Sequence, residues 1–359
     1  MKRTSFFEDV MQTVTGLLFV TLCFFESLSA VACTRILYKT GDSSYITARS
    51  MDWSDTDAAM DFWVFPREME RNGGLGPNSI TWTSRFGSIV ISIYGAATSD
   101  GLNEKGLVGN LLYLAEADYG NAEERAKPII SVGAWLQYIL DNYATVDEAV
   151  KGIESDPFTV VGTDLPDGSP ASAHIAISDP SGDSAIFEYL SGRLKIHHGK
   201  QYKVMTNSPP YDQQLAINAY WDLIGGQNFL PGTISAADRF VRASYALKTS
   251  PEYKGHRKAL ASAFSQIRAV SVPLGMDDPD KPNIASTLWR SVIDQENNHY
   301  YFDSVINPSV IWLDMANVSI EPGAKVMSMK LDTPMDIGGE VTSKLSPSQP
   351  FKFLAPKNF

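Results

Sequence analysis

Apolar and polar residues alternate in short runs from residue 34 onward, and this period of two residues predicts half-buried β-strands. The first runs predict strands at residues 34–38, 44–47, 88–94 and 106–114. Gly101, Asn103 and Gly106 are typical turn residues and predict a turn between the last two strands. Later runs predict an antiparallel meander at residues 174–178, 184–189, 194–197 and 202–205, and returning strands at 286–292, 299–303, 309–313 and 325–329.

A helical period predicts α-helices at residues 130–143, 212–223, 236–247 and 256–269. Thr145 and Glu148 have the spacing of a capping box, which predicts the start of one further helix. The helices form two blocks between runs of strands, and this order favours a layered α+β fold over a doubly wound one. Residues 271–282 are rich in Pro and Asp and predict a surface loop, and because no repeat or linker divides residues 33–359 we expect a single domain there.

The N-terminal residues have the composition of an export signal. Lys2 and Arg3 precede an apolar stretch at residues 14–25, and Ala30 and Ala32 form an A-x-A cleavage site. This stretch is shorter than the roughly 20 residues that span a bilayer, so we expect a removed signal peptide, residues 1–32, and no membrane span. The mature protein is therefore expected to be exported, either to the periplasm or out of the cell.

The chain is acidic, with a net charge of −11 from 30 Lys and Arg against 41 Asp and Glu. Nucleic-acid binding depends on basic residues that neutralise phosphates, and no basic stripe is present, so a nucleic-acid partner is not expected. The sequence contains neither a zinc-like Cys/His spacing nor a phosphate-binding loop. We therefore expect no metal and no cofactor.

Cys33 is the only cysteine that remains after cleavage behind Ala32, because Cys23 lies within the signal. An unpaired thiol in an oxidising compartment needs a reason, and two fit this position. Cys33 is either a catalytic nucleophile or the lipid-attachment site of a non-catalytic envelope protein. Lipid-attachment motifs usually place Leu three residues before the cysteine, where this chain has Ala30. An unprocessed, inactive precursor is a third alternative.

A thiol attacks a carbonyl group well when a neighbouring base takes its proton. At a chain terminus that base is the α-amino group of the same residue, with a pKa of about 7.7–8.0, so no histidine is required. Arg49 and Asp52 follow the second predicted strand, and taken alone such a pair is more often solvated surface. A hairpin of the first two strands would instead bring both beside Cys33, where Asp52 can hold the amine and Arg49 can shift the pKa of the thiol.

These residues, taken with several later motifs, resemble the choloylglycine hydrolase family. That family comprises conjugated bile salt hydrolases and penicillin V acylases, which are N-terminal-nucleophile hydrolases. The resemblance begins with Cys33-Thr34-Arg35 and with Arg49 and Asp52 at their offsets. It continues in residues 100–107 (DGLNEKGL), 205–209 (MTNSP), 230–232 (LPG), 238–242 (DRFVR), 287–290 (TLWR) and 300–303 (YYFD). It spans about residue 33 to the C-terminus.

The resemblance implies a role for each matching residue. Cys33 corresponds to the nucleophile and base, Arg49 and Asp52 to the residues that position it, Asn207 to an oxyanion donor and Arg239 to a charged supporting residue. Tyr113 lies where bile salt hydrolases typically have Asn and penicillin V acylases Tyr, and its backbone N–H corresponds to the other oxyanion donor. The implied fold is a four-layer αββα sandwich, usually assembled as a homotetramer, without metal or cofactor.

The implied reaction is hydrolysis of a linear, non-peptide C–N amide bond in a small N-acyl amide. Only 31 residues separate Asn207 from Arg239, fewer than in familiar bile salt hydrolases, and the export leader is a second difference. Both features resemble the Gram-negative branch, some members of which cleave N-acyl homoserine lactones as well as penicillin V. Trp53 is expected to contact the substrate. Further candidates for an apolar acyl pocket are Met51, Trp82 and Trp135, although large apolar residues are more often core.

Overall fold

The computed structural model describes residues 33–124, 126–165, 168, 170–226, 228–276, 285–332, 334, 336–353 and 355. The predicted signal peptide, residues 1–32, and part of the predicted loop, residues 277–282, lie outside this range.

The described helices are α1 Val132–Asn142, α2 Val146–Glu154, α3 Tyr211–Ile224, α4 Ala236–Thr249 and α5 His256–Ala269. The described strands are β1 Thr34–Lys39, β2 Tyr45–Asp52, β3 Met60–Phe65, β4 Glu70–Asn72, β5 Thr81–Thr83, β6 Ser88–Ile93, β7 Ala97–Asn103, β8 Val108–Tyr113, β9 Ile129–Ser131, β10 Thr159–Val161, β11 Thr163–Asp164, β12 Pro170–Ala171, β13 Ala173–Ser178, β14 Ser184–Leu190, β15 Arg193–His198, β16 Val204–Thr206, β17 Thr287–Asp294, β18 His299–Ser304, β19 Ile311–Asp314, β20 Met327–Lys330, β21 Gly339–Glu340 and β22 Ser346–Pro347.

A seven-stranded sheet brings the start of the described chain together with distant segments. Its strand order is β16-β1-β2-β17-β18-β19-β21. Strand β1 pairs antiparallel with β2 and with β16, so that Thr34 lies opposite both Ser50 and Thr206. Strand β17 continues the sheet beyond β2, with Thr287 opposite Asp52. Strands β2 and β16 therefore end, and strands β1 and β17 begin, at the same end of the sheet. Cys33 directly precedes β1 there.

A nine-stranded antiparallel sheet stacks on the first one. Its order is β15-β14-β13-β8-β7-β6-β3-β20-β22. The meander predicted from residue 174 onward forms β13, β14 and β15 of this sheet, whereas its last member became β16 of the other sheet. The sequence predicts neighbouring strands there, but the choice of sheet depends on contacts that are distant along the chain.

Helices cover the outer face of each sheet. Helices α1 and α2 pack on the nine-stranded sheet, where Trp135 and Val150 join a core with Ile177 and Phe187. Helices α4 and α5 pack on the seven-stranded sheet, and a second core contains residues of both sheets together with Phe240. The layers are thus helix, sheet, sheet and helix, which is the predicted α+β four-layer αββα sandwich.

Two β-strand predictions differ from the structure because polar residues, which the period of two assigns to solvent, are buried within strands. The second strand was predicted to end at residue 47, but β2 extends to Asp52, and all eight of its residues are buried. Residues 101 and 103 were predicted to lie in a turn, but they belong to β7, and the turn lies at residues 104–106. A sheet covered on both faces loses the alternation that the prediction requires. Strand β3, which the pattern did not predict, is also covered.

Candidate active site

Cys33 lies at the floor of a cavity between the sheets and is 1% exposed. Its Sγ atom is 3.8 Å from Nη2 of Arg49, 3.7 Å from Sδ of Met51 and 3.8 Å from the backbone oxygen of Asp52. None of the hydrogen bonds found in the described part of the chain joins a histidine to this thiol. The thiol therefore has a cationic neighbour but no imidazole base.

Arg49 is held rigidly beside the thiol. Its guanidinium donates to the backbone oxygens of Ser99 and Leu111, pairs with the carboxylate of Asp100 at 3.3 Å and lies 5.2 Å from the centre of the Trp289 ring. Burial raises the pKa of Cys33, while the positive charge of Arg49 acts in the opposite direction. The charge of Arg49 thus favours the thiolate, whereas the larger effect of burial favours the neutral thiol.

Asp100 anchors this arginine from strand β7. Its carboxylate also accepts hydrogen bonds from Asn110 Nδ2 at 2.8 Å, from Ser291 at 3.2 Å and from the Tyr300 hydroxyl. The sequence motif at residues 100–107 contains Asp100, but its role in holding Arg49 was not predicted. The sequence feature that could have indicated this role is a carboxylate within a run that otherwise resembles a buried strand.

Asp52 forms a fully buried ion pair with Arg239 of helix α4. Asp52 Oδ2 lies 3.2 Å from Arg239 Nη1, and Asp52 also accepts from the hydroxyl of Thr287. Arg239 donates to the hydroxyl of Thr34, one residue after the nucleophile candidate, and to the backbone oxygen of Ile234. Burial raises the pKa of Asp52 to about 6, and the charge of Arg239 opposes that rise.

In the uncleaved chain the Asp52 carboxylate does not contact the backbone nitrogen of Cys33, and its contact with the free α-amine of a processed chain stays a prediction. The backbone nitrogen of Cys33 donates to Oδ1 of Asn207, and the Asp52 carboxylate binds Arg239 and Thr287 instead. The physical reason is that Arg239, which lies far away in the sequence, offers a full positive charge to a buried carboxylate. Asp52 therefore reaches Cys33 through its charge and its backbone oxygen.

Asn207 bridges the two sheets beside the thiol. Its Oδ1 accepts from Cys33, and its Nδ2 donates to the backbone oxygen of Tyr113 at 2.6 Å. On the other side of β8, Tyr113 lies opposite Ala173, whose own N–H and C=O bond to the hydroxyl of Tyr119. Because the N–H and C=O of one strand residue point the same way, the Tyr113 N–H is directed to the side of β8 that faces Asn207. The two predicted oxyanion donors therefore border one space.

The cavity above Cys33 has mainly apolar walls. Trp53 forms one wall, donating from Nε1 to the Tyr94 hydroxyl at 2.7 Å and packing edge-on against Tyr94 and Tyr113. Met51 lines the floor, and Gly133 lies at the start of helix α1 on the opposite wall. The sequence did not single out Tyr94, which ends a predicted strand and has a positive φ of 57°.

Two of the candidate pocket residues lie elsewhere. Trp82 donates to the carboxylate of Asp141 at 2.8 Å, and Trp135 is fully buried against Tyr189. Both belong to the core between the nine-stranded sheet and its helices. Trp53 and Met51 line the cavity, whereas Trp82 and Trp135 are core residues, which is the more common position of large apolar side chains.

The described residues provide neither a metal site nor a membrane-spanning helix. Across the described residues, no group of three or more His, Cys, Asp or Glu side chains is arranged to hold a metal ion. None of the helices in that part of the chain is long and apolar enough to cross a membrane.

The sequence is similar to that of amide hydrolases. The family model for linear amide C–N hydrolases of the choloylglycine hydrolase family matches residues 33–330. A penicillin V acylase of Pectobacterium atrosepticum is 44% identical over 371 residues, which cover 96% of this chain and 98% of the relative. A bile salt hydrolase/transferase of Bifidobacterium longum subsp. longum is 20% identical over 317 residues, covering 80% of this chain and 97% of the relative.

Solved structures show the same likeness. The penicillin V acylase from Agrobacterium tumefaciens matches with a TM-score of 0.83 and 46% identity, over 90% of this chain and 100% of that one. A variant of conjugated bile acid hydrolase from Clostridium perfringens matches with a TM-score of 0.71 and 21% identity, over 85% of this chain and 99% of that one. The second match concerns the fold alone.

Proposed function

The chain belongs to the choloylglycine hydrolase family of linear amide C–N hydrolases, and from this premise we propose that it cleaves its substrate with Cys33 as an N-terminal nucleophile, in the manner of a penicillin V acylase. The observation that carries the proposal is the setting of Cys33. Its nitrogen is bonded to Asn207, its sulfur lies 3.8 Å from Arg49, and it forms the floor of an apolar cavity.

In the proposed reaction, cleavage behind Ala32 turns the backbone nitrogen of Cys33 into an α-amine. This amine takes the thiol proton while Sγ attacks the amide carbonyl carbon, and it later passes the proton to the leaving amine. The C–N bond breaks and a thioester remains on Cys33. Water then attacks the thioester with the same amine as base and releases the carboxylic acid.

The negative charge of the tetrahedral intermediate needs donors beside Sγ. The amide of Asn207 has two hydrogens, of which one bonds to Tyr113, so the second is available to the oxyanion. The backbone N–H of Tyr113 is directed to the same space. Loss of one such donor typically lowers the rate by about 10²–10³-fold. Arg239 and Asp52 hold Thr34, and thereby the start of β1, in place.

The apolar walls favour a substrate with an apolar acyl group. The relative with 44% identity is a penicillin V acylase, and penicillin V carries an aromatic acyl group that suits the rings of Trp53, Tyr94 and Tyr113. Penicillin V is therefore the first proposed substrate. Long-chain N-acyl homoserine lactones, which have the same kind of amide and an apolar acyl chain, are the second.

We further propose that the protein is exported and that residues 1–32 are removed, because the mechanism needs a free amine on Cys33. Lipid attachment to Cys33 would block both the thiol and the amine. Intact-mass analysis of the mature protein separates these alternatives. The expected mass begins at an unmodified Cys33, whereas a diacylglyceryl adduct or a retained leader would contradict this proposal.

We also propose self-association as a homotetramer. Helix α3 buries only Tyr211 and Gln214, and large apolar side chains are exposed at its end and just after it: Tyr220, Leu223, Ile224 and Phe229. Exposed apolar patches of this kind often mark interfaces. Light scattering after size exclusion is expected to give four chains for the native protein and fewer for a Leu223→Glu variant.

A release assay tests the proposed chemistry. Processed enzyme is incubated with penicillin V, a conjugated bile salt and a long-chain N-acyl homoserine lactone, and the liberated amine is quantified. Cys33→Ala is expected to keep the melting temperature of the wild type and to show no turnover. Cys33→Ser is expected to be severely impaired, because a hydroxyl is a weaker nucleophile without a strong base. Turnover by Cys33→Ala would refute the mechanism.

A further inference from the structure

The segment that carries Asn207 lies between strand β16 and helix α3 and contains Pro209 and Pro210. Proline has no backbone N–H, so these two residues cannot donate to neighbouring carbonyl groups. Buried carbonyl oxygens nevertheless need donors. The segment must therefore obtain its hydrogen bonds from elsewhere in the molecule.

Gln214 of helix α3 supplies them. Its side chain is fully buried, and its Nε2 lies 3.1 Å from the backbone oxygen of Thr206 and 2.6 Å from those of Asn207 and Pro209. Its Oε1 accepts from the backbone nitrogen and from the hydroxyl of Thr206, each at 3.2 Å. One side-chain amide thus bonds to both sides of Asn207.

Helix α3 provides a fixed support for this amide. The backbone nitrogen of Tyr211, the first residue of the helix, donates to both carboxylate oxygens of Glu188 at 3.0 and 3.1 Å. Glu188 is fully buried on strand β14 of the nine-stranded sheet and also pairs with His174 at 3.0 Å. The first turn of α3, which carries Gln214, is therefore anchored to the second sheet.

We propose that Gln214 is a positioning residue for catalysis: it holds the backbone of Asn207 so that the Asn207 side chain reaches both Cys33 and Tyr113. The inference rests on the proposed function, in which Asn207 contacts the amine and the oxyanion. Gln214 does not line the cavity, so it acts on the reaction only through Asn207.

The first test is Gln214→Met, which keeps the size of the side chain and removes its hydrogen bonds. A displacement of a reacting group by about 1 Å can cost roughly 10²-fold in rate. We expect kcat for penicillin V to fall by about 10- to 100-fold and KM to change by less than about threefold, because the acyl pocket is untouched. An unchanged kcat, or a loss confined to KM, would overturn the proposal.

A double-mutant cycle with Asn207→Ala gives the decisive readout. If Gln214 acts through Asn207, Gln214→Met costs almost nothing further once the Asn207 side chain is absent. A merely structural role would lower the activity of both backgrounds by the same factor, and that result would also overturn the proposal. Should Gln214→Met fail to fold, Gln214→Glu keeps the acceptor oxygen and the size, and the same cycle applies.

Gln295→Met is the matched control. Gln295 is equally buried and bonds to Thr47, Ser178 and the backbone oxygen of Gly106, at the opposite end of strand β2 from Cys33. The Gln295→Met variant is expected to have a lower melting temperature and an unchanged kcat.

The failure of the proposed function and the failure of this inference can be told apart. Absence of hydrolysis by the wild-type enzyme would refute the proposed function itself, whereas wild-type turnover with full kcat in Gln214→Met refutes only the role of Gln214.

Discussion

The guanidinium of Arg239 lies 3.2 Å from the carboxylate of Asp52, and neither side chain reaches solvent. The two residues come from a helix and a strand that are 187 positions apart in the sequence. Asp52 ends the strand that runs beside Cys33, and Arg239 also bonds to Thr34. The ion pair thus ties helix α4 to the edge of the sheet where the nucleophile candidate lies.

Removal of one partner of this pair is expected to destabilise the protein. Arg239→Met leaves a buried carboxylate without its counter-charge, which typically costs about 3–5 kcal/mol. The double variant Asp52→Asn/Arg239→Met is expected to lose less than the sum of the single losses, because it leaves no unpaired charge. Urea unfolding measures the free energy of unfolding of Arg239→Met, of Asp52→Asn and of the double variant. Arg242→Met, one turn further along the same helix, is the control and is expected to cost far less.

The pH dependence of stability is expected to report on Asp52. Burial raises its pKa to about 6 in the folded chain, above the ordinary value of 3.8. Between these two values the folded state binds more protons than the unfolded state, so ionisation of Asp52 lowers the free energy of unfolding as the pH rises from about 4 to about 6. The stability of the wild type relative to Asp52→Asn should therefore decrease over this range. A difference that stays constant or increases would contradict the raised pKa.

The reactivity of the Cys33 thiol is expected to depend on Arg49. The charge of Arg49 lowers the pKa of Cys33, against the effect of burial. In Arg49→Met the thiol pKa should rise, and alkylation by iodoacetamide at neutral pH should slow by about tenfold or more. Arg71→Met, which removes a buried arginine paired with Asp141 elsewhere, is the control. Identical pH profiles of alkylation in wild type and Arg49→Met would contradict the role of Arg49.

Acyl-group selectivity is expected to depend on Trp53. Trp53→Leu removes part of the aromatic wall, and burial of a large apolar side chain is worth about 1.5–3 kcal/mol. We expect kcat/KM to fall about tenfold for an aromatic acyl amide and less than about threefold for the acetyl analogue. Trp82→Leu is the matched control, because Trp82 is equally buried but lies outside the cavity. An equal loss for both substrates would show that Trp53 does not select the acyl group.

The candidate site was only partly predictable from the sequence. Cys33 was singled out because it is the one cysteine that would remain after the predicted cleavage, and Arg49 because a hairpin would return it to Cys33. The β1–β2 register places Arg49 opposite Arg35. Gln214 gave no signal, because a glutamine in a helix is ordinary until its partners are known. For Trp82 and Trp135 the sequence left pocket and core open, and the structure places both in the core, because the packing partners of a large apolar side chain are set by distant segments.

The sequence alone predicted most strands and helices and their order, and it allowed the hairpin that returns Arg49 to the start of β1. These properties depend on local periodicity, turn residues and spacing. The three-dimensional fold was needed to show that Arg239 neutralises Asp52 and that Asn207 accepts from the backbone nitrogen of Cys33. Burial makes an unpaired charge costly, so the partner of each buried polar group is selected across the whole fold.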